Sequence, residues 1–243
     1  MKATAMTALL ISALGYAPVV TASTRQAEPV VLLHGLARSA SSMQKMERAL
    51  QQEGYRTCNI AYPSRHHDVA TLAKDHIAPA LQRCFPGHEG RLHFVTHSMG
   101  GILVRQLAQD EEYAKRIGRV VMMGTPNHGS EVIDHLSSWK VFQHIAGPAG
   151  PQLGTGADAI PQLLGPANFE AGIIAGTFSF NPALSLLLPG QDDGKVSVGS
   201  TKLERMQDFL ALRSSHAFIM RNPQAIKHTV HFLRHGSFRT AAT

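Results

Sequence analysis

One run constrains what this 243-residue chain can fold into more than any other: Phe94-Val95-Thr96-His97-Ser98-Met99-Gly100-Gly101. An apolar strand passes into a turn of small residues that carries one serine, and a helical pattern follows. For the hydroxyl to project clear of the backbone the turn must be tight, and strand and helix then pack within contact distance. Gly100 and Gly101 supply the missing side chains on the helix side. The usual spacing is Gly-x-Ser-x-Gly. Here Thr96 stands where the first glycine is expected, so the packing on that side must take a β-branched side chain. Ser98 is the candidate nucleophile.

The segments around this run alternate. Val30–Leu33, Arg56–Ile60, Arg91–Thr96, Arg119–Met123, Gly172–Phe178 and Phe209–Leu212 read as short strands. Helical patterns lie between them. Ser41 with Gln44 suggests a capping box before a helix whose Met43, Met46 and Leu50 share one face. A second helix runs from about Val69 to Cys84, with a kink expected at Pro79. A third runs from Met99 to Gln109 with Ile102, Leu103 and Leu107 inward. Asn222-Pro223 opens the last one, with Ile226, Val230 and Leu233 as its apolar face. The residues after His235 read as a frayed tail. Strands and helices at this spacing predict an α/β fold with a parallel, doubly wound sheet. Ligands bind such sheets at the carboxyl ends of the strands. His34-Gly35, His97-Ser98 and Gly124-Thr125-Pro126 all fall there.

Two segments break the alternation. Residues 1–22 carry Lys2 and an apolar stretch closed by Val20-Thr21-Ala22, which reads as a cleaved signal peptide. No cysteine lies near the cut, which argues against a lipid anchor. The product is then exported, periplasmic or secreted, and residues 23–243 form a single domain. From Ala146 to Ala167 five glycines and four prolines crowd together, within an insert over about 131–170. Such loop-rich segments often cover an active site.

The chain carries a net charge of +6, but its basic residues are scattered. No basic-aromatic stripe is present, which excludes a nucleic-acid reader and leaves at most a mild preference for anionic, membrane-like surfaces. Two cysteines, Cys58 in a strand and Cys84 at the end of the next helix, suit one disulfide in an exported protein. Neither has the paired Cys/His spacing of a zinc site. His66-His67-Asp68 lacks further ligands and reads as a solvated loop, so no metal is expected.

A serine hydroxyl needs a base, and the base an acid to orient it. Fourteen histidines make chance partners easy, so chain order decides. Asp192-Asp193-Gly194 is a sharp turn before the apolar Val196 and Val198. Asp193 is the candidate acid because Gly194 permits the turn that aims it inward; Asp192 then faces solvent or a neighbouring loop. His216 lies between the last strand and the last helix, where the base belongs. His228, His231 and His235 sit on or beyond that helix. His97 adjoins Ser98 and reads as packing. The oxyanion formed on attack needs two preset donors. The Met99 N–H, at the start of a helix, is one. The Leu36 N–H, in the turn that Gly35 lets approach, is the other.

Val31-Leu32-Leu33-His34-Gly35-Leu36, the Thr96–Gly101 elbow, Gly124-Thr125-Pro126-Asn127-His128-Gly129-Ser130, Gly190-Gln191-Asp192-Asp193-Gly194 and Ser215-His216-Ala217-Phe218 together resemble the α/β-hydrolase superfamily. Within it they look like small bacterial lipase/esterase-like serine hydrolases. The resemblance implies the α/β-hydrolase fold, with Ser98 as nucleophile, Asp193 as acid and His216 as base. It implies no cofactor. It also implies cleavage of carboxylic esters, small-molecule or lipid, through an acyl-enzyme. No acidic constellation matches the calcium site of some lipases. Thioester hydrolysis and acyl transfer on the same residues stay open, as does a non-catalytic relative that binds or helps folding. Oligomeric state is not fixed.

Overall fold

A computed structural model describes residues 28–239. The signal segment expected over 1–22 lies outside the described residues. Six strands form one parallel sheet in the order β2-β1-β3-β4-β5-β6. They are β1 (Pro29–Leu33), β2 (Arg56–Ile60), β3 (Leu92–His97), β4 (Ile117–Met123), β5 (Ala171–Gly176) and β6 (Asp208–Leu212). The helices are α1 (Gln44–Gln52), α2 (Val69–Thr71), α3 (Ala78–Cys84), α4 (Met99–Leu107), α5 (Glu111–Arg116), α6 (Glu131–Leu136), α7 (Lys140–Ala146), α8 (Ile160–Leu163), α9 (Pro182–Ser185), α10 (Val198–Thr201) and α11 (Pro223–His235).

The period-two alternation of the central strands builds two cores. Val30, Leu32, Val95, Val121, Met123 and Ile174 join Met46 and Leu50 of α1 and Phe232 and Leu233 of α11. Val31, Leu33, Phe94, Val120 and Met122 join Leu81 of α3 and Ile102, Leu103 and Leu107 of α4. Fully burying one such side chain contributes roughly 1.5–3 kcal/mol, well above the spread of helix propensities. Burial on both faces therefore decides which segments pair as strands. The protein is an α/β-hydrolase fold with helices on both faces of the sheet.

Cys58 of β2 and Cys84 of α3 form a disulfide, with Cα atoms 6.0 Å apart. The helical stretch from Val69 to Cys84 is not one regular helix. Asp68 caps its start, Oδ1 accepting from the Thr71 N–H at 2.7 Å, and a π-helical run, Leu72–Ile77, leads into α3. Pro79 sits in the first turn of α3. The wider turn before it accommodates the missing N–H and the ring that would strike the Asp75 carbonyl.

Three local expectations are corrected. The Ser41–Gln44 capping box does not form. A 3-10 turn, Ala40–Met43, precedes α1, and the Ser41 hydroxyl bonds Ser39 Oγ at 2.8 Å instead. On α11 the buried face is Ala225, Thr229, Phe232 and Leu233, while Ile226 and Val230 are half covered. The Phe232 ring lies over Gly172 on β5, where a Cβ would stand 2.7 Å from it. Residues 236–239 after α11 are docked, not frayed; the rest of the tail lies outside the described residues. Phe238 is buried, and its N–H donates to Asp208 Oδ2 at 2.7 Å.

Candidate active site

The sheet order reverses between β1 and β3. The chain leaves β1 toward one edge and β3 toward the other, which opens a crevice above their carboxyl ends. The turns after these two strands carry Leu36 and Ser98. Ser98 has φ 53° and ψ −125°, a conformation that costs a non-glycine residue about 1–3 kcal/mol. Hydrogen bonds hold it there. Its N–H donates to Met123 O at 2.9 Å, and its carbonyl accepts from Gly101 N–H at 3.0 Å and Thr125 Oγ1 at 3.1 Å. A Cβ on Gly100 would stand 2.6 Å from Leu33 O, and one on Gly101 2.4 Å from Thr125 Oγ1. Thr96 fits because it points into the sheet, fully buried, its hydroxyl donating to Val121 O at 3.3 Å.

The β1 turn presses against this elbow. A Cβ on Gly35 would meet His97 Nδ1 at 2.8 Å and Ser98 Cβ at 3.0 Å. Among the described residues no backbone carbonyl takes up the N–H of Leu36 or of Met99. The turn is braced by Tyr62, whose hydroxyl donates to His34 O and whose ring stacks on the His34 ring at 4.0 Å. Burial depresses the His34 pKa and raises that of the Tyr62 phenol, so both are neutral near pH 7.

The three side chains predicted from sequence stand in one hydrogen-bonded line. His216 Nε2 is 3.1 Å from Ser98 Oγ, and His216 Nδ1 is 2.8 Å from Asp193 Oδ2. The other Asp193 oxygen accepts the N–H groups of Lys195 and Val196 at 3.0 and 2.9 Å, and the Asp193 carbonyl accepts the His216 N–H. Asp192 turns the other way, toward Ser185 Oγ and the Gly194 N–H. His97 is buried against the far side of His216 and bonds its carbonyl at 2.9 Å. Burial, with His216 and Arg38 nearby, holds the His97 pKa well below the usual imidazole range. The ring is therefore neutral, and Nε2 donates.

Ser98 and His216 form the floor of a cavity of about 260 Å3. The segment between β4 and β5 roofs it with Ile133 and Leu136 of α6 and Phe142 and Ile145 of α7. Arg38 and Lys195 also line it. Grooves of about 640 Å3 between α1 and α11 and about 460 Å3 at the amino ends of the strands are larger, but hold none of these residues. The roof is tied down by Arg105 of α4. Its guanidinium, buried, donates to the carbonyls of Asn127, Pro161 and Gly165 at 3.0, 2.8 and 2.7 Å. Burial lowers its pKa to about 10, so it stays charged at pH 7.

Sequence reasoning missed Tyr62, Arg38, Lys195 and Arg105. Only Arg105 left a signal, a charge on the otherwise apolar face of Ile102, Leu103 and Leu107. The Asp68 of His66-His67-Asp68 serves as a helix cap, and His67 packs against His76. Among the described residues no helix is long and apolar enough to cross a membrane.

A family model described as palmitoyl protein thioesterase matches residues 29–159, from β1 through the elbow to the roof. A search of curated proteins returns no match. Among solved structures, mature lipase BlEst2 of Bacillus licheniformis is 20% identical with a TM-score of 0.69, covering 86% of this chain and 93% of that one. Phospholipase PlaB of Legionella pneumophila is 18% identical with a TM-score of 0.61, covering 87% and 60%. Lipase B of Aspergillus fumigatus is 16% identical with a TM-score of 0.63, covering 88% and 53%. At these identities the likeness is one of fold.

Proposed function

The chain belongs to the palmitoyl protein thioesterase family, and from that membership we propose that it is an exported serine hydrolase of carboxylic esters. The observation that carries the reading is the line Ser98–His216–Asp193 at the floor of an apolar cavity. Ser98 Oγ attacks the acyl carbonyl while His216 Nε2 takes its proton. Asp193 holds the imidazole in the tautomer that presents Nε2 as acceptor, and stabilises the imidazolium. The N–H groups of Leu36 and Met99 receive the oxyanion. His216 returns the proton to the leaving alcohol, then activates the water that releases the acid. The disulfide fits an oxidising compartment outside the cytoplasm, periplasmic or secreted.

Ser98→Ala should lower turnover of a p-nitrophenyl ester by roughly 10⁴–10⁶ while the protein stays folded. Full activity in that variant would sink the assignment. Failure of a fluorophosphonate to label Ser98 would favour a non-catalytic relative. The family's description favours a second reading, thioester cleavage by the same residues. Matched oxygen esters and thioesters of one acyl chain, compared by kcat/KM, separate the two.

A further inference from the structure

We propose that the substrate is an acyl ester whose alcohol portion carries negative charge, a phosphate or a carboxylate, received by Arg38 and Lys195; this rests on the hydrolase reading above. Both side chains line the cavity that holds Ser98 and His216. Among the described residues, neither forms an ion pair or a side-chain hydrogen bond. Of the cations facing the other grooves, Arg119 pairs with Glu170 at 2.9 Å and Arg234 pairs with Glu53, while Arg48, Lys227 and Arg91 make no such pair among the described residues.

The carboxylates near the cavity are already engaged. Asp193 serves His216 and two N–H groups, Asp192 serves Ser185 and Gly194, and Glu131 accepts from Ser200 through one oxygen, its other oxygen being buried without a partner among the described residues. Arg38 is half-buried and also feels Arg221, while Lys195 feels both Arg38 and the Asp193 carboxylate, so two cations stand near each other with only an already engaged carboxylate close by. An anion between them relieves their repulsion. Most of the other lining residues are apolar, among them Ile133 and Leu136 of α6 and Phe142 and Ile145 of α7. An amphiphile therefore enters one way round, its acyl chain under the roof and its charged alcohol toward Arg38 and Lys195.

The test compares three octanoyl esters at low and high salt: those of glycerol, of glycerol 3-phosphate and of glyceric acid. With the native protein at low salt, kcat/KM for at least one anionic ester should exceed that for the neutral ester by about tenfold or more. The phosphate and carboxylate arms identify which anion is read. Added salt should shrink the ratio. In Arg38→Gln/Lys195→Gln, with an unchanged thermal midpoint as evidence of folding, the ratio should fall toward one. Arg38→Lys, which keeps the charge, should retain most of it, and Arg48→Gln, away from the cavity, all of it. A native ratio near one, or a ratio that survives the double substitution, overturns the proposal while the hydrolase reading stands. A Ser98→Ala protein that still cleaves the glycerol ester overturns the reading beneath it.

Discussion

Ser98 holds a left-handed backbone that its side chain disfavours, and its hydrogen bonds to the Met123 carbonyl and from Gly101 and Thr125 keep it there. On the proposed mechanism, strain and reactivity fall on one residue. Ser98→Gly should abolish turnover yet raise unfolding free energy by about 1 kcal/mol, as urea titration would measure; an unstable variant would contradict the strain argument. Asp193→Asn should lower kcat by about 10³–10⁴, because an amide no longer favours the Nδ1-protonated tautomer. Asp192→Asn, which touches only Ser185 and Gly194, should change kcat by less than about tenfold. Comparable losses in both variants would reverse the choice of acid.

At the scale of elements, stability depends on contacts whose partners lie far away in sequence. Asn222 caps α11 by accepting the Gln224 N–H at 2.8 Å, so Asn222→Ala should cost about 1 kcal/mol. Phe238→Ala should cost more, about 3–5 kcal/mol, because the ring is buried beside Phe232. Equal midpoints for wild type and Phe238→Ala in thermal melts would return that segment to a frayed tail. These elements also mark how far the sequence could be read. Strand positions were legible from apolar runs, and Ser98 and His216 from residue type and chain order. Gly194 pointed to Asp193 through the turn it permits. The full face of α11 was not legible, because Phe232 packs over Gly172 on another element, a contact no local pattern encodes. Tyr62 acts on His34 only through the register of β1 and β2, which no local pattern encodes. Ser41 and Gln44 formed a valid local signal that the tertiary path overrode with a 3-10 turn.

For the whole molecule, two features set the conditions under which it survives. The disulfide closes a loop of 26 residues, and its loss by Cys58→Ser/Cys84→Ser should cost about 3 kcal/mol. His34 and His97 are buried with depressed pKa values. In the unfolded chain both take protons near pH 6.5, whereas the folded chain resists until lower pH. The unfolded state then binds more protons, so stability is unaffected above pH 6.5 and falls as pH drops below it. Each histidine can contribute a slope of up to about 1.4 kcal/mol per pH unit. Urea midpoints at pH 7.5, 6.5 and 5.5 check this, and a flat profile would contradict it. The Arg105 guanidinium joins three stretches of chain that are made at different times during synthesis. Until Pro161 and Gly165 arrive, a full charge on the elbow helix lacks two of its three carbonyl acceptors, and the turn that carries Ser98 has no settled foundation. Competence and completion then become a single event: a refolding chain should regain esterase activity in step with amide protection at Gly165, and not before.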